Sequence, residues 1–263
     1  MMLHAEQLHR LVRDLRIGVS FATILPFGPS TPVEDGEMIR ASWSLPVAGL
    51  VVGLIGAAVY GIAHSVGLTP GPAAMLALAS TIFVTGALHE DGLADTADGL
   101  GGGRTRERKL EIMRDSRIGT YGACALVISM ILRWSALATI AAPRSVMIAL
   151  LLAHAASRAG LPTFSAFVPP ARKDGLSASA GQPTPQYAAI ALGVGAIVLA
   201  LGFGPAKAIV AVIVLAAIGL IMARLSVKQI GGQTGDILGA FEQLAETAVL
   251  LMAAAILQSS AQL

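Results

Sequence analysis

The feature that most constrains this chain is a succession of long, nearly chargeless stretches at residues 45–68, 73–88, 122–142, 146–168, 187–203, 206–223 and 247–257. A helix needs about 20 predominantly apolar residues to cross the hydrocarbon core of a bilayer. The second, fifth and last stretches are marginal in length, so the pattern predicts six or seven spans. Charged residues make up only 13% of the chain, about half of what a soluble surface carries. That excludes an ordinary soluble globule and points to an all-α, polytopic bundle with lipid as its solvent. Aromatic residues are only 5% while glycines number 29, a composition suited to close helix–helix packing in lipid. The whole chain, residues 1–263, is expected to form a single membrane-embedded domain.

Ahead of the first span, Arg10, Arg13 and Arg16 precede a short apolar run at residues 17–27. This has the outline of a signal peptide, but no small-residue cleavage site follows, and Pro26 and Pro29 come next. A retained interfacial or re-entrant helix is expected. With the N-terminus in the cytoplasm, the polar loops on that side are 1–44, 89–121, 169–186 and 224–246. Fourteen of the 18 Lys and Arg fall in them. Arg144 and Lys207 are the only basic residues at the short connections opposite. The positive-inside rule therefore orients the chain, and every chemically rich loop faces the compartment that holds nucleotides. The net charge of +2 gives no field that would select a nucleic acid. Cys124 stands in an apolar stretch, where a small buried residue is expected.

Three segments carry chemistry. The first is His89-Glu-Asp-Gly-Leu-Ala-Asp-Thr-Ala-Asp-Gly. Asp91, Asp95 and Asp98 stand at i, i+4 and i+7, which share one helical face. Carboxylates so placed repel one another, and at the end of a span they are costly without a function. A hard divalent cation, Mg²⁺ or Mn²⁺, would relieve the repulsion. His89 reads as a base, a ligand or an interfacial polar residue. Glycines 99 and 101–103 are followed by Arg104 and Arg106. Such a run lets backbone N–H groups approach a phosphate, although no Walker Gly-Lys-Ser/Thr is present.

The second segment, at residues 115–122, packs Asp115, Ser116, Arg117, Thr120 and two glycines together. Arg117 is suited to a bidentate phosphate contact. The third is Gly231-Gly-Gln-Thr-Gly-Asp, with Gln233, Thr234 and Asp236, followed by Glu242 and Glu246 on one helical face. It reads as a second half-site for metal or nucleotide. Arg133 and Arg158 fall inside spans, where a charge usually faces a polar interior and marks a site.

Taken together, these three motifs, in this order and over nearly the full chain, resemble the cobalamin synthase family, the adenosylcobinamide-GDP ribazoletransferases. Glu90 departs from the pattern, standing where an apolar residue is expected in many relatives. The resemblance implies a Mg²⁺-dependent integral enzyme of the cell inner membrane, acting in the last steps of cobalamin assembly. It would join adenosylcobinamide-GDP to α-ribazole, or to its 5′-phosphate, and release GMP. Asp91, Asp95 and Asp98 are the expected metal ligands, with Asp115 and Asp236 completing the catalytic set. His89, Arg104, Arg106, Ser116, Arg117, Thr120, Arg158, Gln233, Thr234 and Glu242 are the expected substrate contacts. The expected partners are the two substrates, the bilayer, and a second copy of the chain or other cobalamin-assembly enzymes. Two rivals share parts of the pattern. A CDP-alcohol phosphotransferase would need Arg after the Asp-Gly-x-x-Ala element, where Asp95 stands. A cation transporter would need its carboxylates near the bilayer midplane.

Overall fold

A computed structural model describes residues 2–257. The described residues are helical, with no β-strand among them. The helices in chain order are α1 Met2–Ala22, α2 Glu37–Ala41, α3 Leu45–Ser65, α4 Pro70–Val84, α5 Leu88–Gly102, α6 Arg106–Ile112 and α7 Thr120–Ile140. They continue with α8 Pro143–Ala159, α9 Leu161–Phe167, α10 Leu176–Ala180, α11 Pro185–Phe203, α12 Pro205–Ile230 and α13 Gly235–Leu257. Six of these segments are long and apolar enough to cross a membrane, and α4 with α5, bent by 88°, forms either a broken seventh span or a re-entrant loop. The chain is thus an all-α, polytopic membrane bundle.

The centre of the bundle is α8. It packs along α3, α11 and α13, and with α9 is 72% buried over its membrane-length window, against 17% for α12 at the periphery. Small residues allow the central contacts. A Cβ on Gly49 or Gly53 would collide with the backbone of α8 at His154 and Leu150. The α3–α4 and α7–α8 connections meet at one end. There the Tyr60 hydroxyl donates to the Ala141 carbonyl at 2.7 Å and the Trp134 indole N–H to that of Gly71 at 2.9 Å.

The opposite end gathers the polar loops. Arg106 donates to the carbonyls of Ile230 and Ala171, both at 2.8 Å. The 170–171 and 233 strands of loop exchange backbone hydrogen bonds, Gln233 N–H to Pro169 O and Ala171 N–H to Gln233 O. The N-terminal helix is tied to this end as well: Arg13 reaches Glu37, and Asp14 accepts from Arg40 and from the Trp43 indole. All three motifs read from the sequence therefore lie at one end of the bundle.

Three expectations change. The last span begins at Gly235 rather than near residue 247, and α12 runs to Ile230, so most of the expected 224–246 loop is helical. Glu242 and Glu246 had broken the apolar pattern, but each is paired inside the bundle. The second span is short, and at Val84 the chain turns by 88° into α5. Gly86 and Ala87 make that turn with φ of 62° and 57°. For a residue with a Cβ this left-handed conformation costs about 1–2 kcal/mol. Finally, Cys124 is exposed on α7 rather than buried.

Candidate active site

Helices α5 and α13 cross backbone to backbone at Gly92 and Gly239. A Cβ on Gly92 would lie 2.9 Å from the Asp236 carbonyl and 3.0 Å from the Gly239 Cα. Only glycine on both sides permits this approach. The crossing sets Asp91 and Asp95, on α5, beside Asp236 at the start of α13. Asp91, Asp236 and Asp98 all act electrostatically on Asp95. Asp91 is exposed, Asp95 and Asp236 are half-buried. The Arg172 guanidinium lies 3.5 Å from Asp236, and its Nη1 is buried without a partner.

Asp98 is used differently. It is buried, and its two carboxylate oxygens accept from the backbone N–H groups of Gly119, at 2.7 Å, and Gly122, at 2.9 Å. These are orphan donors at the start of α7, where an anion is favoured by the helix dipole. A Cβ at either glycine would strike the Asp98 carboxylate. The Gly-Thr-Tyr-Gly string thus reads as a seat for Asp98. The glycines at 99–103 also serve packing. Residues 99–102 form the last turn of α5; Gly99 abuts Met113, just past the end of α6, and Gly103 abuts Lys109 of α6. The Lys109 ammonium donates to the Leu100 carbonyl.

The other expected contacts separate into three groups. Asp115 and Arg117 pair with each other at 2.6 Å on the surface, which holds the Asp115 carboxyl down at about 2. Ser116, Thr120 and Arg104 are exposed nearby. Arg106 is engaged by the two carbonyls already described. Gln233 is buried in the bridged loop, and the Thr234 hydroxyl donates to Asp236 at 3.0 Å while accepting from Ile237 N–H.

Arg158 and Glu242 belong to a buried ionic network rather than to the open site. Arg158 donates to Glu242 at 2.6 Å, and Ser157 to the same carboxylate at 2.8 Å. Arg133 lies 3.1 Å from both Glu90 and Glu246, and the His154 Nδ1 3.0 Å from Glu246. His154, Glu242 and Glu246 are close enough to hold a metal ion. Two guanidinium groups already compensate these carboxylates, so the cluster is read as an ionic lock. Arg133 was singled out in the sequence as a charge inside a span, whereas Glu90, His154 and Arg172 were given no role in the site. Their signal was available only as charge inside apolar stretches, or, for Arg172, as one of many basic loop residues.

A cavity of about 260 Å³ opens beside the carboxylates. His89, Asp91, Asp236 and Arg172 contribute to one side of it, and α1, α2, α3, α9 and the 180–183 segment contribute to the others. His89 is buried, and its Nε2 has no partner. The arrangement pairs hard oxygen donors and one guanidinium with a mainly apolar cleft, which suits phosphoryl chemistry on a substrate with an apolar part.

Comparison with known proteins gives a consistent result. The family profile for cobalamin-5-phosphate synthase matches residues 14–254. An adenosylcobinamide-GDP ribazoletransferase from Bradyrhizobium diazoefficiens is 65% identical over 250 residues, covering 95% of this chain and 96% of the relative. Proteins of the same name from Mesorhizobium japonicum, at 48% identity over 95% and 96% of the two chains, and Azorhizobium caulinodans, at 45% over 92% and 95%, are also similar. No solved structure matches the chain.

Proposed function

The chain belongs to the cobalamin-5-phosphate synthase family, and from that membership we propose that it joins adenosylcobinamide-GDP to α-ribazole, or to its 5′-phosphate, with release of GMP. The observation that carries the reading is the crossing at Gly92 and Gly239. It gathers Asp91, Asp236 and Arg172 in the wall of one cavity, with Asp95 close enough to feel Asp91 and Asp236.

Asp91 and Asp95 offer two hard carboxylate donors, the number that Mg²⁺ usually takes beside phosphate oxygens. Asp91 and Asp95 bring carboxylates whose mutual repulsion such an ion would relieve, and Asp98 is already committed to α7. Mg²⁺ bound there would neutralise charge on the pyrophosphate. Arg172 offers its free Nη1 to a phosphate oxygen, a role the sequence suggested for Arg104, Arg106 and Arg117. Asp236 accepts the proton of the attacking ribazole hydroxyl. The new bond forms between that hydroxyl oxygen and the phosphorus that remains with the cobinamide, and the bond to GMP breaks. A transfer of this kind rests mainly on positioning and charge stabilisation.

The site faces the cytoplasm across the cell inner membrane in this reading. Support comes from the fourteen basic residues counted in the loops of that end. A reporter fused between Arg104 and Arg117 should report cytoplasm; a periplasmic signal would overturn the orientation. Turnover of the purified, reconstituted protein with its two substrates and Mg²⁺ tests the activity directly.

A further inference from the structure

We propose that the cavity beside the carboxylates is the subsite for the flat aromatic base of the ribazole acceptor. This rests on the transferase reading and says which part of which substrate occupies the cleft.

The cavity of about 260 Å³ has room for the flat base of a nucleoside. The walls then choose between the two nucleosides of the reaction. Phe21 from α1, Met38 from α2, Leu45 from α3 and Leu161 from α9 line the side away from the α5–α13 crossing. A guanine buried there would lose water from several donors and acceptors with only the Ser42 and Ser165 hydroxyls among these walls to replace it, a cost of about 1–3 kcal/mol for each group left unpaired. A benzimidazole has little to lose and buries apolar area instead. Phe21 is half-buried and is the one Phe, Tyr or Trp in the wall, a surface suited to contact with a flat ring.

The polar residues fit the other half of the same molecule. His89, Asp91, Arg172 and Asp236 line the side formed by α5, α13 and the loop bridged to it. The His89 Nε2 is buried and unpartnered. A buried ring nitrogen without a partner is costly unless a ligand supplies one, and a ribose hydroxyl has the required chemistry. A base lodged among Phe21, Met38 and Leu161 thus leaves its ribose on the side of Asp236, where the hydroxyl proton has to go.

The test uses the full chain in lipid nanodiscs. Binding of α-ribazole without corrinoid is measured by equilibrium dialysis, and KM for each substrate by product formation. Ser165→Phe fills the cavity and Phe21→Ala removes the ring. Each variant is expected to weaken ribazole binding about tenfold or more, which is about 1.4 kcal/mol, while KM for adenosylcobinamide-GDP moves less than twofold. In the wild type, free dimethylbenzimidazole should displace ribazole and guanosine should not, a measurement that needs no variant to fold. Displacement by guanosine, or a rise confined to KM for adenosylcobinamide-GDP, would assign the cavity to the other substrate. Unchanged ribazole binding in both variants would remove the subsite. Absence of product from the wild type, with ribazole binding intact, would overturn the transferase reading and leave the subsite standing.

Discussion

The Arg133 guanidinium, fully buried in α7, lies 3.1 Å from Glu90, the residue immediately before Asp91 on α5. The same nitrogen lies 3.1 Å from Glu246 on α13. One arginine therefore ties together the two helices whose crossing builds the site. Glu90, which stands where an apolar residue was expected, shares this partner with Glu246.

Removing that arginine should do more harm than removing Glu90. Arg133→Leu strands Glu90 and leaves Glu246 with His154 alone, and breaking a buried pair costs about 3–5 kcal/mol. Glu90→Gln leaves Arg133 with Glu246 and should cost less than half as much. Thermal unfolding in detergent, followed by size exclusion, checks the order. Equal losses in the two variants would show that Glu246 does not hold the guanidinium once Glu90 is gone.

The glycine crossing predicts a loss of activity without a loss of insertion. Gly239→Leu places a side chain against the backbone of His89 and Gly92, whose Cα atoms lie 3.3 and 3.1 Å from where its Cβ would be. The helices have to separate, and a displacement of about 1 Å in a positioned site can cost about 100-fold in rate. Turnover should fall by that order while the protein still fractionates with membranes. Near-normal turnover would show that Asp91 and Asp236 need not be adjacent.

Two aspartates one helical turn apart should behave differently. Asp95→Asn is expected to abolish turnover with little change in unfolding temperature. Asp98→Asn weakens the anion that caps α7, which should cost about 1–2 kcal/mol of stability and leave Mn²⁺ binding within a few-fold of wild type. Mn²⁺ titration and thermal unfolding of both variants separate the roles. Loss of Mn²⁺ binding in Asp98→Asn would return Asp98 to the ligand set.

Much of this was legible in the sequence. The apolar stretches and the Asp91, Asp95, Asp98 spacing predicted the bundle and the helix, because both depend on local periodicity. The start of α13 was not legible, because Glu242 and Glu246 are tolerated in the bundle only by partners at positions 133, 154 and 158. Asp98 and the glycines of its motif had the wrong meaning for the same reason: a cap on α7 is invisible until the helices meet. Arg172 looked like one more topogenic charge, and only the loop bridge between Pro170 and Gln233 brings it to Asp236.

Asp115 supplies a pH prediction. Its carboxyl is held at about 2 by Arg117, so its folded value lies below the ordinary 3.8. The charge is therefore present from neutrality down to about pH 2 and is lost only below that. Asp115 cannot produce an acid limb in the working range, and Asp115→Asn should leave the pH–rate profile unshifted. An acid limb that disappears in this variant would make Asp115 the base in place of Asp236.

Direct attack predicts stereochemistry. Among the described residues no cysteine lies in the polar loops, so a covalent enzyme intermediate lacks an activated thiol. A single displacement inverts configuration at phosphorus, and a chiral-phosphate substrate should give inversion. Retention would require an enzyme-bound intermediate, with one of the aspartates as its carrier.

The most direct test of the central claim is product formation by the purified protein in nanodiscs, supplied with adenosylcobinamide-GDP, α-ribazole and Mg²⁺. Wild type should yield a cobalamin and GMP in equal amounts. Chelation should stop the reaction, Mg²⁺ or Mn²⁺ should restore it, and Asp95→Asn should form no product. Failure of folded wild-type protein to join the two substrates would contradict the assignment, and full activity in Asp95→Asn would contradict the site.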